Sequence, residues 1–316
     1  MAQVDRRVVV EHFTNTRCGI CASRNPAFNV NMANHPEVLR LTIHPSRPYS
    51  SCELHKHNSA DNDARTNFYD ILGGTPRLVI QGDIVSSGAN YGSAAIFDAY
   101  EETTTPYDIK VEMLKRTSDS LTARVVIRKV ADDARSSLFL YIPAVEDTLQ
   151  FNAPNGEKEH YNVLRKILFN NSIVAPVNIE DSLEVMVRTE MHSDWVSNNM
   201  TVIAIAQDEG SKEILQAANS SDNPSVEEED ETSSVSTKRI TEGISVYPNP
   251  SMGIYTISGT GITNADLKLR DVNGSIILST SFMNNDTINL SQFSNGVYFL
   301  SIVTKDSVIT KRLVKR

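Results

Sequence analysis

From Tyr107 to about residue 217 the hydrophobic period of the chain is two. The stretches "YDIKVEMLKR", "SLTARVVIRKV", "SSLFLYIPAV", "DSLEVMVRTEM" and "NNMTVIAIAQDE" alternate or run apolar between polar turns. Alternation places every second side chain on one face of a strand, and those faces must be buried against each other. The pattern predicts an antiparallel β-sandwich over residues 107–218. Only "EKEHYNVLRKILF" interrupts it, and it reads as a helix or long loop.

Upstream the order differs. "RRVVVEHF" reads as a strand, "ASRNPAFNVNMANH" as a helix and "EVLRLTIHP" as a second strand. A polar helical insertion follows, ending at Gly73-Gly74, then the strand "TPRLVIQGD" and a helix over "GSAAIFDAYEETT" before Pro106. This order predicts an α/β domain over residues 1–106. Downstream, "NSSDNPSVEEEDETSSVSTKR" carries five consecutive acids, Glu227 to Glu231, and almost no apolar content. It cannot bury enough surface to offset the entropy of ordering, so residues 219–242 read as an acidic disordered linker. Residues 243–316 then give short strands with turn chemistry at Asn249-Pro250, Asn273-Gly274 and Asn295-Gly296, a small all-β sandwich.

The 316 residues carry a formal net charge of -9. An acidic surface repels nucleic acid and anionic membrane, so neither is an expected partner. No stretch is long and apolar enough to span a bilayer, and "MAQVDRRVVV" lacks the apolar core of an export signal. The reading is therefore of a cytosolic protein or one whose signal has been removed. Three cysteines are too few for a disulfide scaffold.

Their spacing is more informative. "HFTNTRCGICASRNPAF" places Cys18 and Cys21 two residues apart at the start of a helix, where free N–H groups and the helix dipole stabilise a thiolate. Such a pair serves as a redox centre or as half of a zinc site. Pro26 kinks the helix that carries it, "VVVEHF" supplies a strand just before it, and "GGTPRLVIQG" sets Pro76 at the mouth of a strand. "CELHKH" offers a rival metal set in Cys52, His55 and His57, of which only Cys52 and His55 share a helix face. His35, His44, His160 and His192 read as isolated surface or loop residues. No phosphate loop, nucleophile elbow or His-Glu-x-x-His helix is present.

On these residues the segment 7–105 resembles the thioredoxin superfamily: CGIC after the first core strand, the kink proline Pro26, and Thr75-Pro76 at the family's cis-proline position. The resemblance implies that Cys18 is the exposed nucleophile and Cys21 the resolving thiol. It implies too that Pro76 walls a groove in which the Thr75 backbone pairs with an extended substrate. Arg17 and Ile20 stand where thioredoxins carry an aromatic residue and a proline, and Arg17 should favour the thiolate. The family's buried aspartate is replaced by His12, with Glu11 on the strand's opposite face. Either could accept a proton; the plainer expectation is that one is solvated and the other hydrogen-bonded.

Residues 244–316 resemble the type A C-terminal sorting domain of the Bacteroidetes type IX secretion system, through "YPNPSMG", "LRDVNGSII", "LSQFSNGVYFLSI" and the basic close "TKRLVKR". This implies export by a signal absent from this chain, engagement of the secretion machinery through residues 243–316, and a secreted or cell-surface (outer-membrane) location. Residues 7–217 also resemble the twenty-eight-kilodalton outer-membrane protein family of Bacteroidetes, through "VVVEHFTNTRCGIC" and "HYNVLRKIL". Asp119-Ser120-Leu121, Asp147-Thr148-Leu149 and Asp181-Ser182-Leu183 are similar to the Bacteroidetes O-glycosylation sequon. The expected function is thiol–disulfide exchange with cysteine-containing protein substrates or a redox partner, through Cys18, Cys21, Thr75 and Pro76, with no cofactor and no metal. The alternative is a surface adhesion protein in which the disulfide is a staple.

Overall fold

The computed structural model describes residues 3–222, 245–258, 265–271, 276–282, 287–303 and 308–316. It is mostly β-sheet with few helices, and it divides into compact units at Met1–Glu228 and Glu229–Arg316. In the first unit, β1 (Val4–Asp5), β2 (Val9–Phe13), α1 (Gly19–Asn34) and β3 (Leu39–Ile43) are followed by α2 (Glu53–His57), α3 (Ser59–Phe68), β4 (Arg77–Ile80), β5 (Asp83–Ile84) and β6 (Thr104–Thr105). Then come β7 (Tyr107–Arg116), β8 (Ser120–Lys129), β9 (Ser137–Gln150), β10 (Glu159–Val174), β11 (Ser182–Glu190), β12 (Met200–Gln207) and β13 (Ile214–Asn219).

The boundary expected at residue 106 is bridged by one continuous sheet of eight strands, in the order β13-β12-β9-β10-β3-β2-β4-β5. The link is β10, which lies parallel to β3 with Val163 opposite Thr42. This is the segment read from sequence as a helix or long loop. Register shifts at Leu164/Lys166 and Ile167/Phe169 break its alternation, so Val163, Leu164, Ile167 and Leu168 fall at helix-like spacings although the backbone is extended. The turn between β4 and β5 seals the same junction. Gly82 has φ 97°, and a Cβ there would lie 1.9 Å from the Lys212 carbonyl oxygen of the β12–β13 hairpin. One apolar core accordingly mixes both segments, with Phe13, Leu41 and Ile43 against Tyr141, Ile203 and Ile205.

Strands β11-β8-β7 form a separate sheet. Its apolar face, with Val111, Val125 and Ile127, packs on Leu140, Ile142 and Val202 of the large sheet, giving the layered core that the period of two requires. The helix expected over residues 92–104 is reduced to a single 3₁₀ turn, Ala94–Ile96. Buried Phe97 anchors that segment beside Val8, Phe28 and Tyr91, and Thr104–Thr105 leave it to pair with β1. The expected linker begins later than its composition suggests: Asn219 ends β13, Ser220–Asp222 form a 3₁₀ turn, and Asp222 pairs with Arg7. The rest of the linker and the Asn273-Gly274 turn lie outside the described residues.

Among its described residues the second unit has two sheets. β14 (Ser245–Tyr247), β15 (Ile254–Ser258) and β18 (Thr287–Asn289) form one, in the order β14-β15-β18. β16 (Ala265–Arg270), β17 (Ile276–Phe282), β19 (Gly296–Val303) and β20 (Val308–Lys315) form the other, in the order β17-β16-β19-β20. Tyr255, Ile257, Leu269, Leu300 and Leu313 fill its core. The "NPSMG" turn is closed by Ser251, whose Oγ accepts from the backbone N–H groups of Gly253 and Ile254, each at 3.1 Å. Gly253 has φ 126°, and a Cβ there would meet the Ser291 backbone at 3.1 Å.

Candidate functional site

β2 delivers the chain into the loop Thr14–Cys18, and Cys18 is the N-cap of α1. Its Sγ accepts the backbone N–H of Cys21 at 3.1 Å, so the sulfur lies on the helix's free N–H groups. Cys18 and Cys21 form a disulfide, with Cα atoms 5.2 Å apart. The Thr75-Pro76 bond is cis, and the Thr75 carbonyl oxygen lies 3.6 Å from Cys18 Sγ. The four expected residues thus meet in space. A groove of about 370 Å³ opens between Asp70, Ile71, Gly73 and Arg77 on one side and residues 84–87 on the other, lined by none of the four expected residues.

The expectation of an exposed Cys18 is not met: it is 3% exposed and Cys21 is 0% exposed. The surface at this point belongs to Ile20, which is 63% exposed between the two cysteines. Arg17 does not act on the sulfur as expected. Its Nε donates to the Ser51 carbonyl at 2.9 Å and its guanidinium pairs with Glu53, so its charge is compensated at the start of α2.

A brace that the sequence reading missed comes from the β9–β10 hairpin. Asn155 donates its backbone N–H to the Thr16 carbonyl at 3.0 Å and its Nδ2 to the Cys18 carbonyl at 3.2 Å. Nδ2 also reaches Glu157 Oε2 at 2.6 Å. Glu157 Oε1 in turn accepts from Nδ2 of buried Asn25, one turn beyond Cys21, at 2.7 Å. The only signal in the sequence was the Asn155-Gly156 turn, which marks a hairpin and not where its tip lands.

Neither proton-acceptor candidate is solvated. Glu11 and His12 are both 0% exposed, because β2 is covered on both faces. Glu11 is held by Arg65 (Nε 2.6 Å, Nη2 2.8 Å) and by the Tyr69 hydroxyl at 2.5 Å. His12 Nδ1 faces Arg40 Nη2 at 3.2 Å, while its Nε2 and Asn25 Oδ1 have no hydrogen-bond partner. Burial, then the charge of Arg40, holds His12 well below the ordinary histidine range. Burial also draws the Arg40 guanidinium down to about 10.

The histidines read as isolated surface residues are not all so. His44 is 0% exposed, its ring 6.4 Å from that of His160, and burial pushes its pKa well down. Both groups are therefore neutral in the fold but titrate normally once unfolded. Their contribution to stability is intact above about pH 6.5 and is lost as the pH falls, because the unfolded chain takes up protons that the fold refuses. The free energy of unfolding is expected to drop between pH 7.5 and 5.5, by up to about 1.4 kcal/mol per pH unit for each histidine. Urea titrations check this, and the double variant His12→Gln/His44→Gln should show a shallower pH slope.

The rival metal set does not assemble. Cys18 and Cys21 are bonded to each other, and Cys52 is buried with its Sγ 3.1 Å from Thr16 Oγ1. His55 is bound to the His44 carbonyl at 3.0 Å. His57 leaves that group altogether and meets His192 and Asp194. Of the glycosylation-like triplets, Ser120 is 3% exposed and Thr148 half-buried, which leaves Ser182 on the surface.

Residues 245–316 match the family described as the secretion system C-terminal sorting domain. Among solved structures the chain is similar to HBP35 of Porphyromonas gingivalis, with a TM-score of 0.60 and 15% identity over 100% of both chains. That is a likeness of fold. Weaker likenesses are to AGR_C_4864 from Agrobacterium tumefaciens (TM-score 0.47, 16% identity, 69% of this chain and 95% of that one) and to a domain of the outer membrane lipoprotein Omp28 from Porphyromonas gingivalis (0.28, 12%, 36% and 86%). No curated protein matches the sequence. Among the described residues no helix is long and apolar enough to cross a membrane. The chain thus carries, at residues 245–316, a type IX sorting domain that directs it to secretion at the cell surface.

Proposed function

We propose that the chain is a thioredoxin-like, exported thiol–disulfide oxidoreductase of the twenty-eight-kilodalton outer-membrane type, acting on cysteine-containing proteins outside the cell. The observation that carries this reading is the sulfur of Cys18 on the N-terminus of α1, facing the Thr75 carbonyl. In the reduced chain the N–H groups and dipole of the helix favour the Cys18 thiolate. The thiolate attacks a substrate disulfide, a mixed disulfide forms and one substrate thiolate leaves. Cys21 then attacks the Cys18 sulfur, closing Cys18–Cys21 and releasing the second substrate thiolate, so two electrons pass to the substrate. The exposed Ile20 offers an extended polypeptide a surface between the two cysteines.

A second reading, a surface binding protein stapled by this disulfide, is favoured by the burial of both sulfurs. The potential of the pair separates the two. The oxidoreductase reading expects a potential above about −300 mV with catalytic reduction of insulin; a staple is reduced only below that value and does not turn over.

A further inference from the structure

His57 closes α2, and the loop after β11 brings His192 and Asp194 up to it. One ligand atom from each of the three lies within 4.8 Å of the other two. The His57 and His192 rings meet edge to face at 4.8 Å, and His192 Nδ1 is 3.5 Å from Asp194 Oδ2. His57 is half-buried, whereas His192 and Asp194 have side chains 53% and 69% exposed. We infer that His57, His192 and Asp194 form a binding site for one divalent transition ion of zinc's class. This inference is independent of the redox reading, and it uses neither the cysteine pair nor Cys52.

Two imidazoles and a carboxylate are a ligand set that zinc accepts with its fourth position left to water. Imidazole nitrogen favours zinc, copper and nickel over calcium or magnesium, which prefer oxygen. The dimensions are compatible. A tetrahedron with bonds of about 2.0 Å has edges of about 3.3 Å, so the His192–Asp194 pair is nearly at its final spacing and the widest separation must close by about 1.5 Å. The closing falls on an exposed turn, where a cation taking His192 Nδ1 displaces the backbone N–H of Asp194 that donates to it at 3.2 Å.

Trp195 makes the site readable. Its indole N–H donates to His57 Nε2 at 2.7 Å. A neutral imidazole has one bare nitrogen, and in the metal-free chain the indole occupies it. A cation on His57 either takes Nε2 directly or binds Nδ1 and moves the proton to Nε2. In both cases the indole loses its acceptor. Trp195 is the single tryptophan of the chain, so tryptophan emission comes from the indole that this exchange displaces.

The test is a titration of the full, disulfide-bonded chain with zinc alone, followed by calorimetry and by tryptophan emission. The expected result is one zinc per chain, with emission changing at the calorimetric midpoint. His192→Ala and Asp194→Asn, both exposed positions, should each weaken binding tenfold or more with melting curves unchanged, and Cys52→Ala should bind as the parent does. The inference is overturned by any of four results: no uptake at zinc concentrations up to about 1 mM, uptake that survives His192→Ala, uptake with constant Trp195 emission, or uptake lost on Cys52→Ala alone.

Discussion

Exchange of Cys18 for serine is expected to abolish insulin reduction, a loss on the order of 10³-fold or more, because no other sulfur can begin the exchange. Cys18 is the N-cap of α1, whereas Cys21 lies inside the helix and Cys52 is held against Thr16. Cys21→Ser should behave differently. It keeps the sulfur at the helix N-cap, so a substrate disulfide is attacked once and the chain stops as a stable mixed disulfide, visible by mass spectrometry of the intact complex. The pair of variants therefore distinguishes order of attack as well as activity. Equal residual activity in both, or no adduct with Cys21→Ser after pre-reduction, would remove the oxidoreductase reading and leave the disulfide as a staple. The hairpin brace gives the second outcome a structural meaning: Asn155 and Glu157 hold the Cys18 carbonyl and Asn25 in place, which suits a rigid cross-link as well as a preorganised nucleophile.

The meeting of Cys18 with Thr75, 57 residues away, and with Pro76 was implied only by the resemblance to the thioredoxin superfamily; the local signals gave a helix start at the Cys-x-x-Cys and a strand entered through Pro76. The strands β7, β8 and β11 were legible because their burial largely alternates as the pattern requires, and β12 as an apolar run buried at every position. What sequence could not show depends on contacts between distant segments. The bulges in β10 concealed its alternation, and with it the sheet that joins residues 9–84 to residues 137–219. Histidine solvation was misread because β2 and β3 carry polar residues at positions covered on both faces. Burial is the main cause that lowers the pKa of both His12 and His44, and the charge of Arg40 adds to it in each. The approach of His57 to His192 spans 135 residues and leaves no periodic trace.

The largest effect on stability is expected at Arg65. Its guanidinium holds Glu11 through two hydrogen bonds and also donates to Gln207 Oε1 at 3.1 Å. It lies over the Tyr141 ring at 4.1 Å, so a residue of α3 joins β2 to β9 and β12. Arg65 and Glu11 have side chains 1% and 0% exposed. Burial opposes the charge on Arg65, but the Glu11 carboxylate more than reverses this and its pKa is raised. Removing one partner strands the other: Arg65→Met leaves a buried carboxylate without its cation, at a cost of about 3–5 kcal/mol. The double variant Glu11→Gln/Arg65→Met has no stranded charge and should recover more than about 1 kcal/mol of that loss, since an ion pair in the interior offsets its own desolvation and little more. Guanidinium denaturation of parent, single and double variants measures the difference. Because Glu11 and the loop to Cys18 share one strand end, the single variant should also reduce insulin more slowly under conditions where it remains folded, while a single variant within about 1 kcal/mol of the parent would show that the pair is solvated and the sheet is held by its apolar core alone.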